Sequence, residues 1–81
     1  MLHFRCVINI KNDKVIKAFG QKVKELRNSR GLSQEQLANL AEIPLSQVGR
    51  IERGEINPTL STINVLSIAL KIKISDFFNN S

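Results

Sequence analysis

The sequence has no tryptophan and no tyrosine, and only one cysteine, one histidine and two prolines in 81 residues. A lone cysteine, Cys6, cannot close an internal disulfide and fits a reducing compartment, so a cytoplasmic location is expected. Cys6 and the single histidine, His3, fall short of a metal cage. No carboxylate dyad or glycine-rich phosphate loop supplements them, so neither an enzyme nor a metal or cofactor is expected. Four Phe are the only aromatic residues, which leaves little for unpaired nucleobases to stack on and argues against single-stranded nucleic acid as a ligand. No apolar run approaches the ~18 residues of a membrane helix. The opening MLHFRCVINI carries Arg5 inside its apolar stretch, unlike a signal peptide. No membrane association is expected.

What is present is a core and a charge. Hydrophobic residues make up 42% of the chain, enough to pack one small domain and too many for wholesale disorder. Twelve Lys or Arg against seven Asp or Glu leave a formal charge of +5, with a pI near 9.9, the balance of a protein with a polyanionic partner. The charge is uneven. Lys11, Lys14, Lys17, Lys22, Lys24, Arg27 and Arg30 crowd residues 11–30, opposed only by Asp13 and Glu25. Taken alone, such a run describes a solvated helix face.

Val15, Ile16, Phe19, Val23 and Leu26 recur at three- and four-residue spacing, which predicts a helix over about residues 13–30. Asp13 is expected to cap it and Gly31 to close it in a left-handed conformation. Ser33, followed three residues later by Gln36, spells a capping box. It opens a second helix to about Ala41 that buries Leu37, Leu40 and Ala41. Glu42, Ile43 and Pro44 break the run. A third helix is expected over 45–53, with Val48 and Ile51 inward and Gly54 as its stop. GEINPT reads as loop. Thr59 caps a fourth helix over 60–70, with Leu60, Ile63, Leu66, Ile68, Ala69 and Leu70 as its apolar content. A short last helix around 75–79 carries Phe77 and Phe78. Residues 1–12 fit this scheme poorly: HFRCVINI is rich in β-branched and aromatic residues, and leaves open an extended arm, able to pair with another chain, or a disordered tail.

Five short helices with a tight turn between the second and third is the layout of a helix-turn-helix domain. Val48 and Ile51 hold the third helix to the core, leaving Leu45, Ser46, Gln47, Gly49, Arg50 and Arg53 on its outer side. A helix fits the DNA major groove, about 12 Å wide, and in this layout one helix grips the backbone while the other meets the bases.

The stretch LSQEQLANLAEIPLSQVGRIERGEINPT resembles the helix-turn-helix of the Cro/C1 (XRE) family, which includes phage repressors and restriction–modification controller proteins. The resemblance covers about residues 15–78. Gln34 opens the second helix, Ala38 is the small residue at the helix–helix contact, and Ile43, Val48 and Ile51 stand at core positions. IERG closes the third helix, and NPT precedes the fourth. The fold implied is all-α, a compact five-helix, lambda-repressor-like domain over residues 13–81 behind a short N-terminal arm over 1–12. Two positions depart from the pattern. Glu42 stands where a glycine at positive φ is usual, at a cost of roughly 1 kcal/mol. Pro44 replaces the usual Ser, Thr or Asp cap and has no side chain to cap with.

The resemblance also implies roles. Leu45, Ser46 and Arg50 occupy positions that reach base edges. Arg50 has the fork for a guanine, Ser46 donates or accepts, and Leu45 offers apolar contact to a thymine methyl. Gln47 reaches a base or a phosphate. Gln34, at a helix N-terminus, and Ser33, Arg53 and Asn57 are phosphate candidates. For each, the plain alternative is an ordinary exposed polar residue. Arg27 and Glu52 are expected to form a structural ion pair, and Leu70, Ile72, Ile74, Phe77 and Phe78 a two-fold dimer contact. The reading is a homodimeric, sequence-specific double-stranded DNA-binding transcriptional regulator on a pseudo-palindromic operator, either a Cro-like repressor or a controller protein. The alternative is the antitoxin half of a toxin–antitoxin pair, gripping a protein partner.

Overall fold

The computed structural model describes residues 2–78, with side chains from residue 13 onward. Four α-helices run in order, α1 (Leu2–Ser29), α2 (Gln34–Ala41), α3 (Leu45–Glu52) and α4 (Leu60–Leu70), followed by a 3-10 helix (Ile74–Phe78). No strand occurs among the described residues.

Each junction follows from local chemistry. Gly31, at φ 70°, ends α1, and the Leu32 amide turns back to the Arg27 carbonyl at 3.1 Å. The Ser33 hydroxyl then accepts from the Gln36 amide at 3.0 Å, while the Gln36 side-chain oxygen accepts from the Ser33 amide at 2.8 Å. This is the capping box, and α2 starts on it. Glu42 closes α2 in the left-handed region, φ 59° and ψ 43°, and the Ile43 amide reaches the Ala38 carbonyl at 3.0 Å. Pro44 precedes α3 in an extended conformation without a side-chain cap, so its carbonyl alone receives the Gln47 and Val48 amides. Thr59 caps α4 through the Thr62 amide at 3.1 Å.

The helices close around Phe19, Val23, Leu37, Ala38, Ala41, Val48, Ile51, Leu66, Leu70 and Phe77. Phe77 sets its ring edge-on to Phe19, centroids 4.8 Å apart, which fastens the last helix to α1. At the crossing of α1 and α3 the backbones nearly touch. A Cβ on Gly20 would lie 2.2 Å from the Ile51 carbonyl oxygen. Across the other end of the domain, Arg30 donates from Nε to the Leu70 carbonyl at 2.8 Å and from Nη2 to the Lys71 carbonyl at 3.4 Å. It thus satisfies carbonyls that the end of α4 leaves free.

Several expectations change. The backbone of α1 is helical from Leu2, so the extended or disordered arm expected over residues 1–12 is replaced, from residue 2, by a continuation of α1. Asp13 lies inside the helix and is not its cap. The penalties of β-branched and aromatic residues in a helix are tenths of a kcal/mol each. No proline or glycine interrupts the chain before Gly20, so a helix fixed by packed turns propagates backward at little cost. Leu40, expected to be buried, is 58% exposed, and of the apolar content of α4 Leu60 and Ile68 are 73% and 66% exposed. Val15 is also more than half exposed. The fifth helix is a 3-10 turn over Ile74–Phe78; Asn79, expected within it, lies outside the described residues.

Candidate nucleic-acid interface

One face of α3 is locked and the other is free. Val48 and Ile51 are each 1% exposed. Glu52 is also buried, and its carboxylate is fully engaged: Oε2 accepts from Arg27 Nε at 2.7 Å and Oε1 from Arg27 Nη2 at 3.0 Å. The third arm of the guanidinium, Nη1, donates to the Leu32 carbonyl at 2.8 Å. The two side chains are 11% and 3% exposed. The hydrogen bonds to Glu52 raise the Arg27 pKa above its ordinary value, outweighing desolvation, so Arg27 stays charged. A fork-to-fork pair of this kind ties α1, the loop before α2 and α3 into one unit. It also encloses the acid that would otherwise repel a phosphate.

Gln34 joins this network. Its side-chain amide donates to Glu52 Oε1 at 3.0 Å and the residue is half-buried, a contact that reading it as a free phosphate ligand misses. An amide nitrogen carries two hydrogens, so one donor remains beside the backbone N–H. Ser33 is exposed, but its oxygen is occupied in the capping box.

On the outer face Ser46 and Arg50 are exposed, Leu45 is 48% exposed and Gln47 is half-buried. Gly49, expected on this outer side, is buried. Its missing side chain leaves room for the Arg53 guanidinium, whose Nη1 would be 3.0 Å from a Cβ there. Arg53 is the C-cap of α3 and is not free: its Nε donates to Glu55 Oε2 at 2.7 Å and its Nη2 to Oε1 at 3.4 Å. That hydrogen bonding is the first cause that draws the Glu55 carboxyl below the usual carboxylate range, with the charges of Arg53 and Arg50 acting in the same direction. Asn57 is exposed on the loop that follows. Ser46, Leu45, Arg50 and Arg53 thus share one short helix and its cap, while Gln34 and Ser33 stand at the start of α2, joined to α3 through Glu52.

The dimer set divides. Leu70 is fully buried and Phe77 is 4% exposed, so both belong to the protomer's own core and neither is available to a second copy. Ile72 is half-buried, while Ile74 and Phe78 remain exposed. Sequence reasoning also missed three residues: Gly20 at the α1–α3 crossing, Arg30 at the end of α4, and Glu55 beside Arg53. Only Glu55 left a trace, an acid two residues from an arginine across a glycine.

No group of three or more His, Cys, Asp or Glu side chains able to hold a metal occurs among the described residues. Nor, among them, is any helix long and apolar enough to cross a membrane.

Comparison with known proteins agrees with this geometry. The family model described as helix-turn-helix matches residues 23–77. The control protein C.SmaI of Serratia marcescens is 36% identical over 69 residues, covering 85% of this chain and 76% of that protein. The immunity repressor protein of Bacillus phage phi105 is 43% identical over 56 residues, but this chain spans only 39% of its length. Among solved structures, the restriction-modification controller protein C.AhdI from Aeromonas hydrophila superposes with a TM-score of 0.77 at 44% identity, over 78% of this chain and 96% of that one. The chain belongs to the Cro/C1-type (XRE) helix-turn-helix family.

Proposed function

We propose that this protein is a homodimeric, sequence-specific regulator of transcription that reads a pseudo-palindromic operator through α3, and that it works in the cytoplasm as a controller protein or a Cro-like repressor. The observation that carries the reading is the division of α3. Its inner side is fixed by Val48, Ile51 and the Arg27–Glu52 pair, while Leu45, Ser46 and Arg50 stand in solvent with chemistry suited to base edges. A rigid helix with a free polar face is what direct readout needs, because register on the duplex must be fixed before base contacts can discriminate. Family membership makes the protein a DNA-binding regulator and not an enzyme.

The phosphate roles proposed are those of Gln34 and Ser33 at the start of α2, and of Arg53, Asn57 and, by its reach, Gln47. For the dimer contact, Ile72, Ile74 and Phe78 are the residues still available. None of the relatives named above is an antitoxin, and the antitoxin alternative has no support.

Enrichment from a pool of random duplexes tests the reading. A pseudo-palindrome with half-sites about one helical turn apart, roughly 34 Å, is the expected product. Enrichment of single half-sites bound at full strength by a monomer would contradict it, as would no enrichment.

A further inference from the structure

Glu55 occupies an unexpected place for an acid. Its backbone amide donates to the Arg50 carbonyl at 2.9 Å, which pins it to the C-terminal end of α3. A negative charge there opposes the helix dipole. The preceding Gly54, at φ 73°, folds the chain back so that the carboxylate meets Arg53 two residues earlier. That glycine is itself hemmed in, since a Cβ on it would lie 2.7 Å from Lys17 Cγ and 3.1 Å from Lys17 Cα. The turn is therefore held from behind by α1. The resulting pair is open to solvent, with side chains 58% and 49% exposed. Exposed pairs contribute little to folding, so stability gives no reason for this arrangement.

A function does. Two carboxylate oxygens held against a guanidinium reproduce the contact that a DNA phosphate makes with arginine. We propose that Glu55 is a built-in phosphate mimic that occupies Arg53 in the free protein and must be displaced when DNA arrives. This rests on the DNA-binding reading above and deepens it by naming a residue that sets how tightly the face binds any backbone. Random DNA offers Arg53 only a phosphate in exchange for Glu55, a nearly even trade. At the operator the base contacts of α3 are added to that trade. The carboxylate therefore suppresses non-specific binding and leaves the discrimination between sites to Arg50, Ser46 and Leu45. Displacement also leaves Glu55 to recruit a cation, which offsets one of the counterions that DNA releases.

The test is a double-mutant cycle on random-sequence duplex, titrated at several salt concentrations with wild type, E55Q, R53A and the double variant. E55Q is expected to bind about two- to five-fold tighter at low salt, with the gain shrinking as salt rises and a salt dependence steeper by about one ion. In the R53A background, E55Q should change nothing. The unfolding midpoint of E55Q should match wild type, which separates the effect from folding. Unchanged or weaker binding by E55Q would overturn the proposal, as would an equal gain without Arg53. If wild type and E55Q bind neither random nor enriched duplex at any salt, the DNA-binding reading itself falls and takes the proposal with it.

Discussion

Glu42 and Gly20 show opposite limits of what one residue reveals. The left-handed turn at Glu42 is legible through the family resemblance, which implies a glycine at positive φ at this position, and φ is indeed 59°. A side chain in that region costs about 1 kcal/mol relative to glycine. Glu42→Gly should accordingly raise the stability of the domain by about that amount, partly offset by the greater freedom of glycine in the unfolded chain. Urea unfolding measures it, and a lowered midpoint would contradict the account of the turn. Lys71, at φ 60°, makes the same conformation at the end of α4 but is not legible, since no family break marks it. Gly20 is the reverse case. A glycine inside a helical pattern says nothing of what lies opposite, and what lies opposite is the backbone of α3, which cannot move aside. Gly20→Ala improves local helix propensity, yet it should lower stability by about 1–3 kcal/mol through overpacking. A gain in thermal stability would mean the crossing is looser than described.

Among the elements, the Arg27–Glu52 pair is what fixes α3 against α1. Removing Arg27 leaves Glu52, whose side chain is 3% exposed, with only Gln34 as partner. Arg27→Ala should therefore cost about 3–5 kcal/mol, as buried pairs do when one member is lost. Arg27→Met with Glu52→Leu should recover much of that loss, since an apolar replacement strands no charge. Chemical denaturation of the two variants checks this, and a loss within error for Arg27→Ala would reduce the pair to a surface contact. Helix order, the caps at Ser33 and Thr59 and the stops at Gly31 and Gly54 were legible at this scale, because each is a local rule of hydrogen bonding that the sequence carries within a few residues. The start of α1 was not. Propensity weakly disfavours its first turns, and only continuity with a packed helix carries it back to Leu2. Nor was the outward placement of Leu40, because a helix as short as α2 holds too few turns for periodicity to fix which apolar residue faces in.

For the molecule as a whole, the exposed apolar residues at its C-terminal end bear on assembly. The family resemblance implies a dimer contact that includes Leu70 and Phe77. The residues alone do not correct it, because an apolar residue looks the same whether a neighbour in the chain or in a second copy covers it. Here the chain's own core covers both. Phe77→Ala should hence destabilise the protomer, by about 3–5 kcal/mol. Ile74→Glu should leave the fold intact and shift sedimentation from about twice the 9.1 kDa chain mass toward the monomer. A monomeric wild type at micromolar concentration would remove the dimer from the account.

The central claim, that α3 reads base sequence, is tested most directly through Arg50. Fluorescence titration with labelled duplex compares wild type and Arg50→Ala on an enriched site and on random DNA, at several salt concentrations. A bidentate base contact predicts a loss of about 1–3 kcal/mol on the enriched site, confined to one base pair per half-site, and far less on random DNA. An equal loss on both duplexes, with a shallower salt dependence, would instead make Arg50 a phosphate clamp and contradict the claim.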